Sequence, residues 1–153
     1  AGVNYAHSPL LLVPYESALK TVEVNLLGTF LLSREAAKIM KKKSFGRIVN
    51  LGSMAVKHEV KGEAIYTASK AAIVSLTRVM AKEISSYGIT CNTVSPAAID
   101  TDFIKKINNN GLNEVLSRNA IPNVGSLNEV SNTIDWLIKL YLCLAVVDTP
   151  LNN

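Results

Sequence analysis

The chain has 153 residues, 48% of them hydrophobic and 18% charged, with a formal net charge of +4. That balance suits one folded domain with a workable core and argues against disorder. The single basic run, Lys41-Lys42-Lys43, has no aromatic residues interleaved, which argues against a nucleic-acid partner; as the close of a helical segment it complements the helix dipole.

Residues 4–14 read as a loop, with an apolar patch between Pro9 and Pro14. Residues 15–43 read as one long helix, because Leu19, Val22, Leu26 and Phe30, then Ala36, Ala37 and Met40, recur at helical intervals. Asn25 falls in its middle, where asparagine is a poor helix former. On the residues alone it is a tolerated polar group on the exposed side. Arg47-Ile48-Val49-Asn50-Leu51-Gly52-Ser53 is a β-branched apolar run ending in Gly-Ser, which predicts a buried strand entering a loop. Ser53 then stands at the carboxyl end of a strand, where open α/β sheets bind ligands. A polar loop runs on to Gly62.

Residues 64–87 predict a second long helix, ended by Gly88 at C′. Its small residues, Ala68, Ser69, Ala71 and Ala72, permit close approach by a ligand or another helix. Residues 89–95 predict a further strand, stopped by Pro96, which lacks the ladder donor. Residues 102–119 predict helix interrupted by the turn-forming Asn108-Asn109-Asn110-Gly111. Residues 126–142 predict a last helix, with Ser126 or Asn128 near its start and Glu129 in the first turn. No internal repeat or linker divides the chain.

Cys91 lies in an apolar strand-like run and reads as a small buried core residue. Neither it nor Cys143 has metal-ligand spacing to another cysteine or histidine, so no metal is expected. His7 and His58 are isolated and are expected in loops. The start does not read as a signal peptide. The longest nearly apolar run, from Leu137 to Val147, contains Lys139 and is too short to span a bilayer. The expected setting is cytoplasmic and reduced, with no membrane contact.

The richest constellation is Tyr66, Lys70 and Ser53. A spacing of four on a helix sets the phenol and the amine on one face, about 5–6 Å apart at the β-carbons. A neighbouring cation favours the phenolate, so the Tyr66 pKa is expected to fall from about 10. A phenol so tuned exchanges protons at working pH. Ser53 adds a hydroxyl to hold a substrate oxygen. Tyr-x-x-x-Lys alone is a weak signal, far more often met as a surface tyrosine beside a solvated lysine. The strand ending at Ser53 gives the pair its context.

With that strand and helix, the chain resembles the short-chain dehydrogenase/reductase family. The resemblance rests on Asn25-Leu26-Leu27-Gly28-Thr29-Phe30, Gly46 to Ser53, Tyr66-Thr67-Ala68-Ser69-Lys70-Ala71-Ala72 and Ser95-Pro96-Ala97-Ala98-Ile99-Asp100-Thr101, in the family's order and spacing. It is closest to single-domain members such as 3-oxoacyl-carrier-protein reductases. It implies an α/β fold, a Rossmann-like doubly wound parallel sheet. Residues 1–153 would form the C-terminal portion of one NAD(P)-binding domain. Ala1-Gly2 look like the end of the family's Asn-Ala-Gly motif. The glycine-rich turn that receives the pyrophosphate, and the residue that selects NAD or NADP, have no counterpart here.

The resemblance further implies Tyr66 as acid/base, with Lys70 lowering its pKa and bonding the nicotinamide ribose. Ser53 would orient the substrate oxygen, and Asn25 would bond a relay water. Ala1, Gly2, Tyr66, Lys70, Pro96, Ile99 and Thr101 would line the cofactor. Thr101 is also a candidate N-cap for a helix starting near Asp102, and both roles are compatible. Ala97 stands where the family usually has glycine, and would be strained if the backbone there needs a positive φ. Residues 102–119 would form a lid, whereas Leu144 to Pro150 do not match the family. The two long helices would pair with their copies in a dimer or tetramer.

The expected function is hydride transfer between NAD or NADP and a small carbonyl compound or secondary alcohol. The alternative is a catalytically silent truncated chain that acts, if at all, through association with itself or a partner. A nucleotide-sugar epimerase shares Tyr-x-x-x-Lys, but the stretch after Lys70 is too short for its larger substrate domain.

Overall fold

The helical spacing of residues 15–43 is realised in three pieces: α1 (Tyr15–Val22), a wide π-helical turn (Glu23–Leu27) and α2 (Gly28–Lys41). The structure is a computed structural model; it describes residues 2–4, 8–101, 113, 116, 117, 119 and 121–139, and the backbone of 148–150. The expected single helix is therefore corrected at Asn25. Its side chain is needed inside, and a π turn re-aims a residue that a regular helix would place elsewhere. Asn25 is 1% exposed, which excludes the reading of a solvated polar residue. α2 ends where the lysine run begins, and the Lys41 ammonium sits 4.1 Å from the centre of the Tyr87 ring.

Among the described residues three strands, β1 (Gly46–Leu51), β2 (Ile89–Ser95) and β3 (Asp148–Pro150), form one sheet in the order β1-β2-β3. All neighbours are parallel, with Ile48 opposite Cys91 and Val94 opposite Thr149. Parallel pairing of β1 and β2 requires a crossover. The short α3 (Ala55–His58) and the long α4 (Ala64–Ile84) provide it. α4 passes through a 3-10 turn into Gly88, whose φ of 68° ends the helix as the sequence predicts. α5 (Leu127–Lys139) lies against β1 and β2. Residues 91–95 of β2 are buried on both faces, as the central strand of a doubly wound sheet requires.

Ile48, Met80, Ala81, Ile89 and Cys91 form the core, with Ala37, Met40, Leu76 and Ile84 packed around it. A buried polar chain crosses the same layer. Ser33 Oγ donates to Asn50 Oδ1 at 3.1 Å, and Asn50 Nδ2 donates to Thr77 Oγ1 at 2.9 Å. These bonds tie α2, β1 and α4 into one register, because each group would be left unpaired by a slip.

Of the two residues expected at the start of the last helix, Ser126 is the cap. Its Oγ accepts from the Glu129 N–H at 3.2 Å, and Glu129 Oε2 accepts from the Ser126 N–H at 2.6 Å, a capping box. His58 is corrected from loop to helix, since it closes α3. Ala97 is not among the residues at positive φ, so alanine there carries no backbone strain. The tail that departs from the family contributes the short β3. The expected lid falls largely outside the described residues, as do His7 and Cys143. No described helix is long and apolar enough to cross a membrane.

Candidate functional site

β1 and β2 end side by side, and the chain leaving each is held to the other. The Gly52 N–H donates to Val94 O at 2.8 Å, and the Met54 N–H donates to Pro96 O at 3.0 Å. A β-carbon on Gly52 would come within 2.5 Å of Ser95 Oγ, so this close approach needs glycine. The pairing delivers Ser53 to the rim of a cavity of about 400 Å³. α4 supplies Tyr66 and Lys70 to the same cavity, and the segment after β2 supplies Pro96, Ile99 and Thr101. A parallel bridge between Ile99 and Gly125 fixes that segment, with the Asp100 N–H donating to Gly125 O at 3.0 Å. Thr101 Oγ1 donates to Ile99 O at 3.2 Å; its expected partner helix near Asp102 lies outside the described residues.

Gly2 also lines the cavity, and Ala1 lies outside the described residues. Gly2 rests against the lysine: a β-carbon there would stand 3.2 Å from Lys70 Nζ. Asn25 holds this segment rather than lining the cavity. Its Oδ1 accepts from the Val3 N–H at 2.8 Å, and its Nδ2 donates to Val3 O at 2.9 Å and to Ser69 Oγ at 3.0 Å. Ser69, one of the small residues of α4, thus serves a contact with another element. The Ser53 hydroxyl accepts from the Ala55 N–H at 3.1 Å.

The electrostatics differ from the sequence expectation. Lys70 is 6% exposed and donates to Leu51 O at 2.9 Å, with its nitrogen 5.8 Å from the centre of the Tyr66 ring. The Tyr66 phenol is pushed above its ordinary value, not below it. Burial is the main cause, since it strips water from the phenolate, and the Glu63 carboxylate adds repulsion. A hydrogen bond with the Ser53 side chain pulls the other way and offsets part of this. Lys70 is held below the usual lysine range, again by burial. The pair is therefore poised with the phenol protonated.

Two titratable residues of the cavity, Glu63 and His58, were not expected there from the sequence. Glu63 stands one helical turn before Tyr66, and the i, i+3 rule would have found it. His58 gave no such signal, because α3 is too short to be periodic.

A family model described as enoyl-(acyl carrier protein) reductase matches residues 1–140. The 3-oxoacyl-[acyl-carrier-protein] reductase FabG of Vibrio cholerae is 35% identical over 116 residues, which cover 76% of this chain and 48% of that protein. The 3-oxoacyl-[acyl-carrier-protein] reductase of Synechocystis is 34% identical over 128 residues, or 84% of this chain and 51% of that one. The chain thus spans about half the length of these curated relatives. A crystal structure of NAD+-bound xylitol dehydrogenase superposes with a TM-score of 0.84 at 23% identity, covering 95% of this chain and 63% of that one. That likeness establishes the doubly wound fold.

Proposed function

The chain belongs to the short-chain dehydrogenase/reductase family, and from that premise we propose that its cavity carries out hydride transfer between a nicotinamide cofactor and a small carbonyl compound or secondary alcohol. One observation carries the reading: Ser53, Tyr66 and Lys70, brought from two elements, border a single cavity. The residues around it suit the nicotinamide end of NAD or NADP. Lys70 would offer ammonium protons to the ribose, and Gly2, Pro96, Ile99 and Thr101 line the same cavity. The nicotinamide supplies or accepts the hydride when bound. The likeness to the NAD+-bound xylitol dehydrogenase supports a cofactor of this class.

The chain's own residues move the proton. Tyr66, kept protonated by burial, donates its phenolic hydrogen to the carbonyl oxygen as negative charge develops there. The Ser53 hydroxyl orients that oxygen. The Lys70 ammonium, fixed by Leu51 O, stabilises the phenolate that remains. Asn25 acts at one remove, by holding Gly2 and Val3 against the lysine. The test is Tyr66→Phe. Nicotinamide absorbance with NADH or NADPH and a panel of ketones is expected to show turnover for the chain and none for the variant, with circular dichroism unchanged. Undiminished turnover in Tyr66→Phe rejects the proposal.

Association belongs to the same reading. Leu27, Leu31, Leu32 and Ile39 along the second half of the first helical run, with Val79 on α4, leave apolar area in water. A homodimer or tetramer through these helices covers it; a stable monomer in sedimentation at micromolar concentration counts against it. A cytoplasmic setting fits the free, buried thiol of Cys91. One observation favours the rival, non-catalytic reading: among the described residues β1 pairs on one side only. A strand with an open edge is a template for association. Titration with NADH and NADPH separates the two, since no binding at millimolar cofactor favours the silent chain.

A further inference from the structure

Glu63 is the one carboxylate among the described residues that line the cavity, and it is 8% exposed. It stands at the N-terminal end of α4, where the helix dipole favours an anion. The Asn4 side-chain amide donates to its Oε1 at 3.4 Å. The i, i+3 spacing to Tyr66 sets both side chains on the cavity face of one helix. Among the described residues, the other titratable groups that line the cavity are His58 from α3 and Tyr66 and Lys70 from α4. The cavity is thus lined by both charges, a carboxylate three residues before the phenol and an ammonium four residues after it. A buried carboxylate is an acceptor only, so it rewards a ligand that donates and rejects one that brings further negative charge.

We propose that Glu63 is the specificity-determining residue of this cavity. Its carboxylate accepts a hydrogen bond from a hydroxyl or ammonium group on the carbon beside the reacting one. The preferred substrate class is therefore hydroxylated or amino-substituted ketones and the corresponding vicinal diols and amino alcohols, over plain ketones. The assignment rests on the proposed function for its reacting carbon, but not for the carboxylate's place in the cavity. Its repulsion of the Tyr66 phenolate is consistent with that place.

The experiment uses two ketones of equal size, hydroxyacetone and 2-butanone, whose binding to the chain is followed by ligand-observed NMR. Hydroxyacetone is expected to bind about tenfold more tightly, the loss typical when a charge-assisted hydrogen bond is removed. Glu63→Ala is expected to abolish that preference, while Glu63→Gln, which keeps an acceptor oxygen, retains part of it. Equal binding of the two ketones by the parent chain, or binding of neither, overturns the proposal. A second readout is independent of substrate. The Tyr66 phenolate absorbance, taken as the difference from Tyr66→Phe, is expected to appear at lower pH in Glu63→Gln, because the repelling charge is gone. An unshifted titration overturns the placement of Glu63 against the phenol. The preference for hydroxyacetone is expected to survive in Tyr66→Phe, so failure of hydride transfer and failure of this assignment are told apart.

Discussion

Replacing Asn25 by alanine removes three hydrogen bonds at once: both arms to the Val3 backbone and the one to Ser69 Oγ. A typical intramolecular hydrogen bond contributes about 1 kcal/mol net, and a buried partner left unsatisfied costs about 1–3 kcal/mol. The Ser69 hydroxyl keeps its bond to Tyr66 O at 2.7 Å, and Val3 is only half-buried, so both recover part of the loss. The expected destabilisation is about 2–3 kcal/mol, read from urea unfolding followed by circular dichroism. A local signature accompanies it. Once Gly2 and Val3 leave the lysine, water reaches the amine, and the Lys70 pKa moves back up towards 10.5. NMR titration of the Lys70 side chain reads this directly. A loss below about 0.5 kcal/mol with an unmoved lysine would refute the claim that Asn25 anchors the site, because surface changes alone stay within that range.

Other perturbations test the electrostatics and the fold. Lys70 titrates lower in the folded chain than its ordinary 10.5, so the unfolded chain binds more protons between those two values, and stability rises with pH up to about 10.5. Lys70→Met is expected to flatten that rise in unfolding measured across alkaline pH. Tyr66 has the opposite sign, since its raised pKa makes stability fall as pH climbs past about 10, and Tyr66→Phe is expected to remove the fall. Gly88→Ala is expected to cost about 2 kcal/mol in thermal or urea unfolding, because φ is 68° and a β-carbon would collide with the Ser44 carbonyl. The Cys91 thiol, pushed up to about 12 by burial, is expected to resist a thiol reagent at neutral pH until the chain unfolds.

The parts of this molecule legible in its sequence are those whose cause is local. A β-branched apolar run ending in Gly-Ser gave β1, Pro96 marked the end of β2, and Gly88 marked the end of the α4 segment and its own left-handed turn. The Tyr66–Lys70 spacing was readable because a helix converts spacing into a shared face, and Ser53 joined them because a strand end has a fixed place in a parallel sheet. Asn25 was misread on its own chemistry because its reason lies 22 residues away, in the Val3 backbone that only the folded chain brings near. The π turn that carries Asn25 has no local pattern to announce it.

The phenol shows most sharply where such reasoning stops. Sequence supplied the identity of the neighbour four residues on, and a cation beside a phenol lowers its pKa if all else is equal. Water is what was not equal. Lys70 is buried and Tyr66 half-buried where α4 packs against the sheet, and the loss of water opposes the charge on each of them separately. The lysine's proton donors are drawn to Leu51 O, a strand carbonyl whose position depends on β1 pairing with β2. Glu63 adds repulsion from one turn away. The sign of the shift was therefore decided by solvent access, which is not written in the spacing of side chains. Under the proposed function the resting site holds a protonated phenol, which gives up its proton only as negative charge develops on a bound oxygen.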